Sequence, residues 1–256
     1  MTDVLKGDGG LKQLKMLCNE LSKRCLVNKQ CGIHSHIGGA IFNKENVVIM
    51  YYLYQIIESE IFNMLPRSRR NNEYCRKLPK VNINLENLNN NYKFSIEKYY
   101  TEIMSVLAKK EYNARLVNKK NDHPDGFKCN YNHASARYCW VNFVPAVFDT
   151  RKNGIFTIEF RPAAGSTSYT KIKNWLMICM GMVNVVEDHK REILSGNVNT
   201  LEDILTLCYP KDYKGLVEYV ELRKAKFSDK EEPSEVAEER DYQENEIDTN
   251  LSIKKL

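Results

Sequence analysis

The 256-residue chain lacks a long hydrophobic run. Its longest apolar stretch, residues 175–186, is broken by Gly181 and Asn184. It falls short of the roughly 18 apolar residues that cross a bilayer, so no membrane partner is expected. The opening Met1-Thr2-Asp3-Val4-Leu5-Lys6 has no apolar stretch behind a basic start, and no secretory leader is expected either. The eight cysteines, Cys18, Cys25, Cys31, Cys75, Cys129, Cys139, Cys179 and Cys208, form no CxxC pair. That excludes the usual zinc spacings and argues against a disulfide framework in a chain of this size. Several lie in apolar patterns, where a reduced thiol packs as a small hydrophobe; a reducing cytoplasm is the expected location. There is no internal repeat, zinc finger, helix-turn-helix pattern or stacking motif, so nucleic acid is not an expected partner.

What is present divides in two. Residues 1–227 carry apolar periodicity and fit one large domain. From residue 228 charge takes over, and a disordered tail or lone surface helix is expected over 228–256. The net charge of +5 hides this asymmetry. Residues 229–256 hold ten acidic and four basic residues, a net of −6, which leaves +11 on 1–228. A basic body suits an anion such as a nucleotide phosphate, although its lysines are scattered as on an ordinary solvated surface.

Along the chain, Leu11, Leu14, Leu17, Cys18, Leu21 and Cys25 share a helical face over residues 9–25. Residues 31–38 alternate as a strand. Asn43 caps a long helix that Pro66 ends. The polar, Asn-rich 67–92 reads as a loop or lid, and 94–110 as a helix. Asp122-His123-Pro124-Asp125-Gly126 reads as a turn. Residues 138–144 and 154–161 read as an antiparallel pair joined through Asn153-Gly154. Helices are expected over 169–194, 200–208 and 213–227. This mixture favours an α+β domain with a largely antiparallel sheet.

Three clusters can carry chemistry. In Cys31-Gly32-Ile33-His34-Ser35-His36-Ile37-Gly38-Gly39, strand alternation sets His34 and His36 on one face and Ile33, Ser35 and Ile37 on the other. In Gly154-Ile155-Phe156-Thr157-Ile158-Glu159-Phe160-Arg161, Thr157, Glu159 and Arg161 face away from a core formed by Phe156, Ile158 and Phe160. A carboxylate and a guanidinium two residues apart suit a divalent cation and a phosphate; the plainer alternative is a surface ion pair of little value. Arg67, Arg69 and Arg70 follow the end of a helix, where arginines grip phosphate or carboxylate oxygens or simply solvate a loop.

These pieces, in this order, resemble the phage and bacterial amidoligase family of the glutamine-synthetase-like superfamily. The matching segments are Cys-Gly-Ile-His-Ser-His-Ile-Gly at 31–38, Leu-Pro-Arg-Ser-Arg-Arg-Asn at 65–71 and Arg-Tyr-Cys-Trp-Val-Asn at 137–142. They continue with Gly-Ile-Phe-Thr-Ile-Glu-Phe-Arg at 154–161 and the helix after it. The resemblance implies a curved antiparallel sheet with helices on one face. It implies ATP and Mg²⁺ or Mn²⁺ as cofactors, and a carboxylate and an amine, such as a peptide or cell-wall component, as substrates. An amide would form through an acyl phosphate. By the same resemblance His34 and Glu159 are metal ligands, His36 contacts a nucleotide phosphate, and Arg161 steadies the phosphoryl or carboxylate group with Glu159. Arg67, Arg69 and Arg70 would be nucleotide or substrate contacts.

One departure stands out. The family opens with a strand of paired acidic residues, whereas here the first helix follows directly on Met1-Thr2-Asp3-Val4-Leu5-Lys6-Gly7-Asp8-Gly9-Gly10. The expectation is that the acidic strand comes from a second polypeptide, that the sequence is a fragment, or that catalysis is lost and the chain is a structural or interaction subunit.

Overall fold

Helix α2 (Lys44–Asn63) is the spine on which the other elements pack. Asn43 begins it: its side-chain oxygen accepts from the Asn46 amide at 2.8 Å, satisfying one of the unpaired donors of the first turn. Pro66 follows its end, where no further helical amide is available. Val47 through Tyr51, Leu53, Tyr54, Ile57 and Ile61 are fully buried, so the helix is apolar on most of its circumference and surrounded accordingly. The computed structural model describes residues 4–70, 72–108, 135–147 and 156–228.

Around this spine lie α1 (Gly7–Arg24), the short α3 (Arg67–Arg70) and α4 (Leu85–Asn90), and α5 (Tyr92–Ala108). Later come α6 (Val144–Val147), α7 (Tyr169–Asp188), α8 (Lys190–Leu194), α9 (Leu201–Cys208) and α10 (Tyr213–Lys226). Ser168 caps α7, and Thr200 with Asp203 forms a reciprocal capping box on α9.

Among the described residues three antiparallel strands complete the α+β architecture: β1 (Ser35–Gly38), β2 (Val141–Asn142) and β3 (Thr157–Phe160), in the order β1-β3-β2. The register aligns Ser35, Phe160 and Val141 on one rung and His36, Glu159 and Asn142 on the next. Successive rungs present opposite faces. Phe160 meets the rings of Tyr54 and Trp140 in the core, so the His36–Glu159–Asn142 rung faces away from it. Beyond β1 the pairing continues as a bridge from Gly32 to Ala164. There the chains lie so close that a Cβ on Gly165 would sit 2.4 Å from Cys31 Cβ. Among the described residues no helix is long and apolar enough to cross a membrane, and none of the seven cysteines forms a disulfide.

Several expectations need correction. Residues 67–92 are not one loop, because α3 and α4 lie in them; Asn84 caps α4 by accepting from the Asn87 amide at 2.9 Å. The expected helix over 169–194 is two, broken at His189, whose backbone leaves the helical region. On α1 only Leu14 and Cys18 of the expected apolar face are buried, and Leu17 is exposed. The Asp122–Gly126 cluster, the Asn153-Gly154 turn and the tail 229–256 lie outside the described residues.

Candidate functional site

Glu159 is the hub of the outward rung. Its position on the central strand sets it between His36 on one neighbour and Asn142 on the other. Arg161, two residues on, returns to the same face and donates from Nη1 to Glu159 Oε1 at 2.6 Å. Asn142 Nδ2 donates to the other carboxylate oxygen at 2.7 Å. His34 Nδ1 lies 3.1 Å from Glu159 Oε1, and His36 Nε2 lies 3.8 Å from it. His36 Nδ1 is 3.2 Å from the Thr157 hydroxyl. Alternation in two strands thus brings His34, His36, Glu159 and Arg161 together on one face.

Their accessibility differs. Glu159 and Arg161 are buried, whereas the imidazoles of His34 and His36 are 42% and 30% exposed. A ligand arriving from solvent therefore meets the imidazoles first, with a fixed ion pair beneath them. Burial raises the Glu159 pKa, but hydrogen bonds from His34 and Asn142 and the positive field of Arg161 and His36 outweigh it and hold it at about 2. The carboxylate is ionised at neutral pH.

Arg161 is itself held in place. Its Nε donates to the Tyr74 carbonyl at 3.2 Å, its amide donates to the Trp140 carbonyl at 2.8 Å, and its guanidinium lies 5.9 Å from the Tyr138 ring centre. The partly exposed Tyr74 packs edge-on against Tyr138, so two aromatic rings border the site. A guanidinium offers five N–H donors, and Glu159 and Tyr74 engage two of them.

The three arginines after α2 do not join this cluster as a set. Arg69 is buried and donates to the carbonyls of Arg161 at 2.7 Å and Pro162 at 3.2 Å. It fixes the backbone that carries Arg161. Arg70 donates to the carbonyls of Leu65 at 2.7 Å, Asn63 at 3.2 Å and Phe227 at 2.6 Å. Both guanidinium groups are engaged with backbone carbonyls, and Arg67 is exposed on α3. Near Arg69 and Arg161, burial pushes the Cys75 thiol up to about 11 despite those two charges, so it is an inert core group.

Asn142 is the member that sequence reasoning left without a role. The signal was an amide in the otherwise apolar run Trp140-Val141-Asn142-Phe143-Val144; a buried polar group in such a run must have partners. Here it has two, since Asn142 Oδ1 also accepts from the Val144 amide at 3.0 Å.

The donor set does not by itself build a divalent-cation site. Among the described residues Glu159 is its only carboxylate, and both oxygens are already engaged by Arg161 and Asn142. Among the described residues no group of three His, Cys, Asp or Glu is placed to hold a metal ion. Mg²⁺ requires mostly oxygen ligands, which other molecules would have to contribute.

A family model described as "Putative amidoligase enzyme" matches residues 1–183. Comparison with curated proteins and with solved structures finds no match.

Proposed function

The chain belongs to the family described as "Putative amidoligase enzyme", and from that membership we propose that it joins a carboxylate to an amine at the expense of ATP. The observation that carries this reading is the buried Glu159–Arg161 pair beneath two accessible imidazoles. In the first step a substrate carboxylate oxygen attacks the γ-phosphorus of ATP and the bond to ADP breaks. In the second the amine lone pair attacks the acyl carbon, the phosphate leaves, and the nitrogen gives up a proton. Chemistry of this kind depends chiefly on positioning and on neutralising charge.

Arg161, locked by Glu159 and Tyr74, uses its remaining donors on phosphoryl or carboxylate oxygens. His36 contacts a nucleotide phosphate. Mg²⁺ or Mn²⁺ would neutralise the phosphates, with His34 and Glu159 the residues nearest to holding it. The oxygens this site lacks come from the nucleotide and from an acidic strand paired to β1. Among the described residues β1 pairs with β3 alone, which leaves its other edge open to such a strand. The reaction belongs in the cytoplasm, where ATP is available.

A second reading has its own support. The engagement of both Glu159 oxygens by neighbouring side chains suits a ligase fold retained as a non-catalytic interaction subunit. Thermal unfolding with ATP and Mg²⁺ or Mn²⁺ separates the two. The ligase reading expects a rise in Tm that His36→Ala abolishes. A Tm indifferent to nucleotide, both alone and after addition of an acidic-strand peptide, leaves the non-catalytic reading.

A further inference from the structure

Tyr74 is left 52% exposed at the rim of the Arg161 site, yet its ring is fixed. Its amide donates to Asn72 Oδ1 at 2.8 Å, which closes a tight turn, and the next residue, Cys75, is fully buried. The Arg76 amide donates to the Tyr138 carbonyl and the Trp140 amide to the Arg76 carbonyl, both at 2.7 Å, so the segment is laced to the chain entering β2. The Tyr74 hydroxyl is hydrogen-bonded to the Glu73 carboxylate. The ring packs against Tyr138 with centres 5.4 Å apart and planes at 74°. Tyr138 in turn meets two guanidinium groups, Arg137 at 5.5 Å and Arg161 at 5.9 Å from its ring centre.

We propose that the exposed ring of Tyr74 is the platform on which the base of a purine nucleotide stacks while its phosphates lie at Arg161; this rests on the nucleotide reading above. Reach is the first support. The two steps through Tyr138, of 5.4 and 5.9 Å, keep the Tyr74 ring centre within about 11 Å of the Arg161 guanidinium, inside the span of a nucleoside triphosphate from base to terminal phosphate. Charge is the second. The guanidinium groups at Tyr138 repel an ammonium group, so the corner suits the amine substrate poorly, whereas a neutral base tethered to phosphates meets an aromatic ring and cations in sequence. An aromatic ring accepts any base by its π-face, and a purine overlaps it more fully than a pyrimidine. Pre-ordering is the third: a ring already held loses little freedom on binding. The Tyr74 carbonyl also accepts from Arg161 Nε at 3.2 Å, so one residue sets the guanidinium and receives the base.

The test is isothermal titration calorimetry of the full chain with a non-hydrolysable ATP analogue and with inorganic tripolyphosphate, each with Mg²⁺. The parent is expected to bind the ATP analogue more tightly than tripolyphosphate, and more tightly than the corresponding UTP analogue. Tyr74→Ala should weaken the ATP analogue roughly tenfold and leave tripolyphosphate unchanged, and Tyr74→Trp should restore the analogue. The Ala variant removes only an exposed side chain and keeps the carbonyl that holds Arg161, so tripolyphosphate serves as the control for an intact site. Equal binding of the ATP analogue and tripolyphosphate by the parent overturns the proposal while leaving the phosphate site at Arg161 in place. So does a Tyr74→Ala variant that weakens both ligands or neither. A parent that binds neither ligand overturns the nucleotide reading itself, and the proposal with it.

Discussion

At the scale of single residues, Glu159 couples the site to stability. Its pKa is held at about 2 in the fold against an ordinary 4.5. A depressed carboxyl stabilises the folded state fully above pH 4.5, and that stabilisation is lost as pH falls toward 2. The difference corresponds to about 3 kcal/mol. Unfolding free energy measured by denaturant titration should therefore fall by about that amount between pH 5 and pH 2. Glu159→Gln should remove this part of the pH dependence. It should also cost roughly 3–5 kcal/mol at neutral pH, because it leaves the Arg161 guanidinium buried without its counter-charge. A flat profile in the parent would show that the pair is not held as described. His34, His36, Glu159 and Arg161 were legible as face-mates from alternation alone. Asn142 was not: its strand is only two residues long, and its partner is set by the register of β2 against β3, which local pattern does not encode.

At the scale of elements, the arginines after α2 separate by role. Arg69 bridges α3 to the backbone after β3 through two carbonyls. Arg69→Ala leaves both carbonyls unsatisfied in the interior and should destabilise by about 3 kcal/mol. Arg67→Ala, on the exposed side of the same short helix, should shift stability by less than about 0.5 kcal/mol. Chemical denaturation of the two variants checks this; equal effects would mean that Arg69 is not the structural clamp. The sequence marked the arginine cluster but not the division of labour, because burial within one helical turn depends on what packs above it. The same limit explains other boundaries. Asn43 announced its helix by capping chemistry. Asn84 was hidden in a stretch rich in asparagine, and the break at His189 has no proline or glycine to signal it.

At the scale of the molecule, the α+β class and the antiparallel sheet followed from hydrophobic period and turn residues. The β2–β3 pair was legible in the same way; the place of β1 on the other side of β3, which completes the order β1-β3-β2, was not, since β1 is far from β3 in sequence and that pairing is decided by the shared core under Phe160. That order sets the central carboxylate between an imidazole and an amide, and leaves one edge of β1 open. The account's central claim is that the face carrying His34, His36, Glu159 and Arg161 is where nucleotide binds. Imidazole ¹⁵N–¹H NMR tests it most directly, because the chain has five histidines, His34, His36, His123, His133 and His189. On titration with a non-hydrolysable ATP analogue and Mg²⁺, the resonances of His34 and His36 should move together and saturate, with the His36 shift lost in Arg161→Gln. Movement confined to His123, His133 or His189, with His34 and His36 unmoved, would contradict it.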